Sequence, residues 1–158
     1  MTKECKQQFT LRITQANKTE LIVILYEMLL AYLNDAKGSL KDQNITEYRE
    51  NVRKAESCLS ELIDSLNLSY EIGLRLLSLY LFCNRELLKA DIRKSEEFLL
   101  HVEAVITKLH DAYKEVAMQD QSEPVMENSQ TVYTGFTYGK NCLTEDVADQ
   151  SANRGFRA

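Results

Sequence analysis

A chain of 158 residues with 24 acidic against 19 basic side chains has a formal charge of −5, which argues against a face for nucleic acid or an anionic membrane, since both call for clustered Lys and Arg. One proline and five glycines leave room for long helices in a single domain. The polar opening Met-Thr-Lys-Glu-Cys-Lys-Gln-Gln lacks the apolar core of a secretory signal, and no run reaches the roughly 20 apolar residues of a membrane span, so a cytosolic protein is expected.

Residues 1 to 16 are a mixed segment in which Phe9, Leu11 and Ile13 alternate with polar neighbours, which reads as a strap or a chain end lying against the body. Asn17 is a good N-cap, and Glu20 three residues on completes a capping-box-like start. The first predicted helix therefore runs from about Lys18 to Lys37, with Gly38 as its stop. Its centre, Leu21 to Leu33, carries one charge, Glu27. Ile22, Leu25, Leu29, Tyr32 and Ala36 form the stripe that an amphipathic helix buries. A second stripe of Thr19, Val23, Tyr26, Leu30 and Leu33 lies roughly 120° away at about 100° per residue. Two readings are open: this helix sits at the centre of its own bundle, or its second stripe lines a groove for another protein.

Asn44 caps the second predicted helix, whose single stripe is Tyr48, Val52, Ala55, Leu59, Leu62 and Leu66, with charged residues on the other faces. Asn67 to Ser69 make a turn, and Ser69 followed by Ile72 starts the third helix. That helix repeats the doubling, with Ile72, Leu76, Leu79, Tyr80, Cys83 and Leu87 beside Leu74, Leu77, Leu81 and Leu88. The fourth starts near Ser95 as its cap and continues through Phe98, Val102, Val105, Leu109, Ala112 and Val116. The expected fold is all-α, an antiparallel up-down-up-down four-helix bundle over residues 17–118, with the first and third helices diagonal. An N-terminal strap (1–16) and a mobile C-terminal tail (119–158) flank it; the tail's composition is too polar to fold alone.

No catalytic constellation is found. His101 and His110 lie nine apart on one helix and so on opposite faces, as exposed polar residues. No other helix supplies a His for a metal centre, and there is no Gly-rich phosphate loop, so neither an enzyme nor a cofactor is expected. The cysteines at 5, 58, 83 and 142 have no zinc-like spacing and read as reduced thiols, with Cys58 and Cys83 behaving as small hydrophobes.

The segment Ile13-Thr-Gln-Ala-Asn17-Lys-Thr-Glu20-Leu-Ile-Val-Ile-Leu25-Tyr26-Glu27 resembles the opening of the FliS family of flagellar export chaperones. Leu79-Tyr80-Leu-Phe-Cys-Asn84-Arg85-Glu-Leu87-Leu-Lys-Ala90 is similar to that family's Leu-Tyr-x-Tyr-x-x-Arg-x-Leu-x-x-Ala helix, and Leu109-His-Asp-Ala112-Tyr113-Lys-Glu to its closing helix. The likeness spans about residues 13 to 117. It departs from the family pattern at Asn17-Lys18 for Ser-Pro, at Tyr113 for Trp, and in lacking a counterpart of the N-terminal Tyr, for which Phe9 is the nearest aromatic.

The resemblance implies a cytosolic chaperone that binds the C-terminal segment of flagellin, prevents premature polymerisation, assists delivery to the flagellar type III secretion apparatus and meets further export components. The expected client surface is Val23, Tyr26, Leu30 and Leu33 on the first helix with Leu74, Leu77, Leu81 and Leu88 on the third, and Tyr26 suits a groove edge. The free protein is expected to be a monomer or a weak homo-oligomer. The alternative is a helical-bundle adaptor or homodimeric regulator with no export role. In the tail, Tyr133, Phe136 and Tyr138 suggest a segment that occupies the groove in the free protein.

Overall fold

The computed structural model describes residues 3–126, and the expectations for Tyr133, Phe136 and Tyr138 lie outside them. The described residues form five helices: α1 (Lys3–Gln15), α2 (Lys18–Lys41), α3 (Ile45–Asp64), α4 (Glu71–Arg93) and α5 (Glu96–Gln119). Helices α2 to α5 close a ring in which each packs on the next and α5 returns to α2, so α2 and α4 are diagonal. Polar ties show the alternation of direction. Lys37 near the end of α2 bonds Glu103 near the start of α5 at 2.9 Å, while Thr19 at the start of α2 bonds Asp120 just past α5. Tyr48 in the first turn of α3 donates to the carbonyl of Ala90 near the end of α4 at 2.7 Å.

The N-terminal segment is not an extended strap. Residues Lys3–Gln15 are a helix that folds back on α2 through Ala16 and Asn17. The alternation of Phe9, Leu11 and Ile13 misled: Leu11 is 43% exposed, and the half-buried line is Cys5, Phe9 and Ile13 at steps of four. With no Gly or Pro, and with the good helix formers Glu4, Lys6, Gln7, Gln8, Leu11 and Arg12, local propensity also favours helix.

The capping box at α2 is present as expected, with Asn17 Oδ1 accepting from the Glu20 amide at 2.8 Å and the Glu20 carboxylate accepting from the Asn17 amide at 2.9 Å. Gly38, however, does not stop the helix, which continues to Lys41. The last turn has tertiary support that outweighs the roughly 1 kcal/mol cost of an internal glycine. Ser39 is buried and its hydroxyl accepts from Asn51 on α3 at 3.4 Å, and Leu40 packs on the core. Asn44 caps α3 through the Glu47 amide at 3.2 Å. Ser95 sits at the N-cap of α5 but its side chain makes no cap bond, and α4 starts after Tyr70, also without a side-chain cap.

The core is continuous through the ring. Tyr26, Tyr48 and Tyr80 are its largest fully buried side chains, and their hydroxyls are satisfied inside: Tyr26 and Tyr80 bond each other across the diagonal. Burial pushes the Tyr48 and Tyr80 phenols each up to about 12. The expected stripe on α5 is rotated from the observed one. Leu99, Val102 and Ile106 are the buried line, whereas Phe98, Val105 and Leu109 lie half-buried along one edge, Ala112 is exposed and Val116 is 54% exposed. Burial forces Cys58 and Cys83 to behave as apolar residues, raising their thiols to about 11 and about 12.

Candidate docking surface

The two doubly apolar helices meet opposite fates. The second stripe of α2 faces the seam with α5, bracketed by the Thr19–Asp120 and Lys37–Glu103 bonds. Tyr26 and Leu33 are fully buried, Val23 nearly so, and Leu30 half-buried against the core. Tyr26 is therefore not at a groove edge: its ring stacks edge-on against Tyr113 of α5 with centroids 5.5 Å apart. On this helix the second stripe is core, because α2 alone touches α1, α3 and α5 together.

The second stripe of α4 points away from the bundle. Leu76, Tyr80, Cys83, Leu87 and Ala90 are buried, and Leu74, Leu81 and Leu88 on the opposite side of the helix are 52%, 48% and 50% exposed. Leu77 is half-buried beside them. Ile92, at 78% exposed, extends the line by one more turn, a continuation that the four-residue step from Leu88 already signalled. From Leu74 to Ile92 the stripe runs about 27 Å at roughly 1.5 Å per residue. Two positions expected in the core belong outside it: Ile72 is 64% and Leu79 39% exposed. They stand roughly 200° around the helix from Leu74 and Leu81, two residues on, and so lie apart from the outward line; Leu68 and Tyr70 in the preceding turn are exposed as well. A contiguous apolar face of this extent is a mark of an interaction site, where scattered single residues would not be.

The eight expected site residues are thus not one surface. The α2 set and the α4 set lie on diagonal helices, and only Leu74, Leu77, Leu81 and Leu88 belong to the outward face. A second concavity, a cleft of about 470 Å³, lies between α1, α2 and α5, where Val23 lines the wall with Arg12, Glu20, Glu27, Lys114 and Met118. Within it Arg12 pairs with Glu27, which also meets His110. Burial works to raise the Glu27 carboxyl, but the Arg12 guanidinium and His110 prevail and hold it below its ordinary value.

The expectation of exposed histidines holds for His101 and fails for His110. His110 has a side chain only 14% exposed, with Nε2 3.5 Å from Glu27, and His101 Nδ1 lies 2.7 Å from Glu86. The Glu86 carboxyl, also bonded by Lys89 at 2.6 Å, is held below its ordinary value by those two partners. No group of three or more His, Cys, Asp or Glu suited to a metal ion occurs among the described residues. No described helix is long and apolar enough to cross a membrane.

An outward apolar helix face is the most distinctive surface of this class of helical bundle. Comparison with known proteins gives that class its family: the family model described as flagellar protein FliS matches residues 1–120. The flagellar secretion chaperone FliS of Bacillus subtilis (strain 168) is 25% identical over 111 residues, covering 70% of this chain and 84% of that protein. The chain belongs to the FliS family, whose members are secretion chaperones and not enzymes.

Proposed function

We propose that this protein is a cytosolic chaperone for flagellin, and that the outward face of α4 takes up the amphipathic C-terminal segment of that client. The observation that carries the reading is the line Leu74, Leu81, Leu88 and Ile92, which has no cover among the described residues of a chain from a flagellar family. Flagellin's terminal segment assembles by burying its own apolar face, so a chaperone that offers another apolar face competes with polymerisation before export. No nucleotide is needed. The client orders as it binds, which offsets part of the contact energy and leaves the complex releasable.

Calorimetric titration with a peptide of roughly forty residues from the end of flagellin of the same cell tests this, with saturation at one to one and a clearly negative heat-capacity change expected. The double substitution Leu81→Ser with Leu88→Ser is expected to weaken binding at least tenfold while the helical signal is unchanged, since both side chains are half in water already. A folded protein that does not bind the peptide, and that sediments as a dimer through α4, would replace this reading with the homodimeric adaptor.

A further inference from the structure

The apolar line on α4 has a charged companion. Arg85, Lys89 and Arg93 recur at steps of four and are all exposed, which sets them in a row along one flank of Leu81, Leu88 and Ile92, about 6 Å apart along the helix. Lys94 follows, exposed, at the C-terminus of the helix. Of the three, only Lys89 meets a carboxylate among the described residues, that of Glu86. Glu86 is buried at 4% exposure, and Asp91 is half-buried and pairs with Arg49 of α3 at 3.4 Å. In a protein with a formal charge of −5, the second half of α4 is therefore locally cationic.

The three cations differ in what already holds them. Lys89 reaches Glu86 at 2.6 Å, and both Lys89 and Arg93 lie over the Phe98 ring of α5, at 5.9 and 5.5 Å. Those contacts fix their stems against the body and leave the row pre-arranged. Arg85, in contrast, has no hydrogen-bond or ion-pair partner among the described residues. It stands between Leu81 and Leu88, beside the small side chains of Ser78 and Asn84, which with Leu81 and Arg85 line a shallow depression. A guanidinium in that position presents a planar fork to a carboxylate while its stem adds to the apolar contact.

We propose that the row Arg85, Lys89 and Arg93 selects and registers the docked segment, which must be an amphipathic helix bearing acidic side chains at steps of four beside its apolar stripe. The inference rests on α4 being the docking face. The apolar line supplies affinity without direction, since leucines tolerate a shift of one turn. A one-sided charged row does not, because sliding or reversing the partner helix leaves carboxylates away from their cations. Arg85 contributes most, having no intramolecular bond to give up on binding.

The test uses the full chain and two designed helical peptides with the same leucine stripe, one with Glu and one with Lys at every fourth flanking position. The Glu peptide is expected to bind, to weaken by about tenfold for each several-fold rise in salt, and to lose roughly five- to tenfold on Arg85→Glu. Arg85→Lys is expected to lose less than half of that in logarithmic terms, and the Lys peptide to bind Arg85→Glu better than the native protein. Thermal melts of the exposed Arg85 variants are expected to match the native chain. Equal binding of both peptides, lost in Leu81→Ser with Leu88→Ser, would overturn the row and leave α4 as the docking face. Binding of the Glu peptide that survives that double substitution would overturn both.

Discussion

Two glycines in helices of this protein have opposite standing. A Cβ added at Gly38 meets nothing within 4 Å, so Gly38→Ala removes the backbone-entropy cost of an internal helical glycine and is expected to stabilise by about 0.5–1 kcal/mol. At Gly73 the same Cβ would lie 2.2 Å from the backbone carbonyl oxygen of Asn67. The turn over Asn67 to Ser69 closes directly on the first turn of α4, and Gly73→Ala must push them apart. Urea midpoints should therefore move in opposite directions for the two variants, upward for Gly38→Ala and downward by more than 1 kcal/mol equivalent for Gly73→Ala, a sign that composition alone could not assign.

Helices α2 and α4 carry the same signature in sequence and different work in the fold. Truncating Leu33, fully buried on α2, to Ala is expected to cost about 2–5 kcal/mol, whereas Leu88→Ser on α4 is expected to shift stability by under about 1 kcal/mol. Chemical denaturation of the two variants side by side measures this contrast. Periodicity reported correctly that both helices are apolar on two sides, and it located the stripes of α2 and α3 nearly residue for residue and that of α4 apart from Ile72 and Leu79. It could not say which neighbour covers a second stripe, because that depends on how the helices pair in space: the stripe of α2 meets α5, and that of α4 meets no described neighbour. The rotated stripe of α5 has the same origin: two overlapping apolar lines exist, and Lys89 and Arg93 lying over Phe98 mark which one is an edge. The role of Arg85 was also beyond reach from sequence, since it depends on the absence of a partner in space.

Across the whole molecule, the attachment of α1 relies on a charge cluster drawn from three helices, Arg12 of α1, Glu27 of α2 and His110 of α5. The Glu27 carboxyl is lowered in the folded state, so the stabilisation it provides is complete above the unfolded value near 4.3 and fades as pH falls through and below that range. Stability measured in urea is thus expected to fall from about pH 4.5 downward, and Glu27→Gln to flatten that slope while lowering stability at neutral pH. A slope unchanged in the variant would assign the acid sensitivity to other carboxylates, Glu86 first among them.

The chain also returns to its beginning after α5. Asp120 accepts from Asn17 and Thr19, and the amide of Val125 donates to the carbonyl of Ala16 at 3.1 Å, so the joint between α1 and α2 is tied by residues more than a hundred positions away, 103 in the case of Asn17 and Asp120. During synthesis that tie arrives only after all of α2 to α5 has been made. The ring of α2 to α5 is able to close while the hinge at Ala16 is still loose, and contacts of such sequence separation form late and open early. We expect a newly made molecule to pass through a stage in which α1 swings freely on a finished bundle, and a mature one to revisit it at lower free-energy cost than global unfolding.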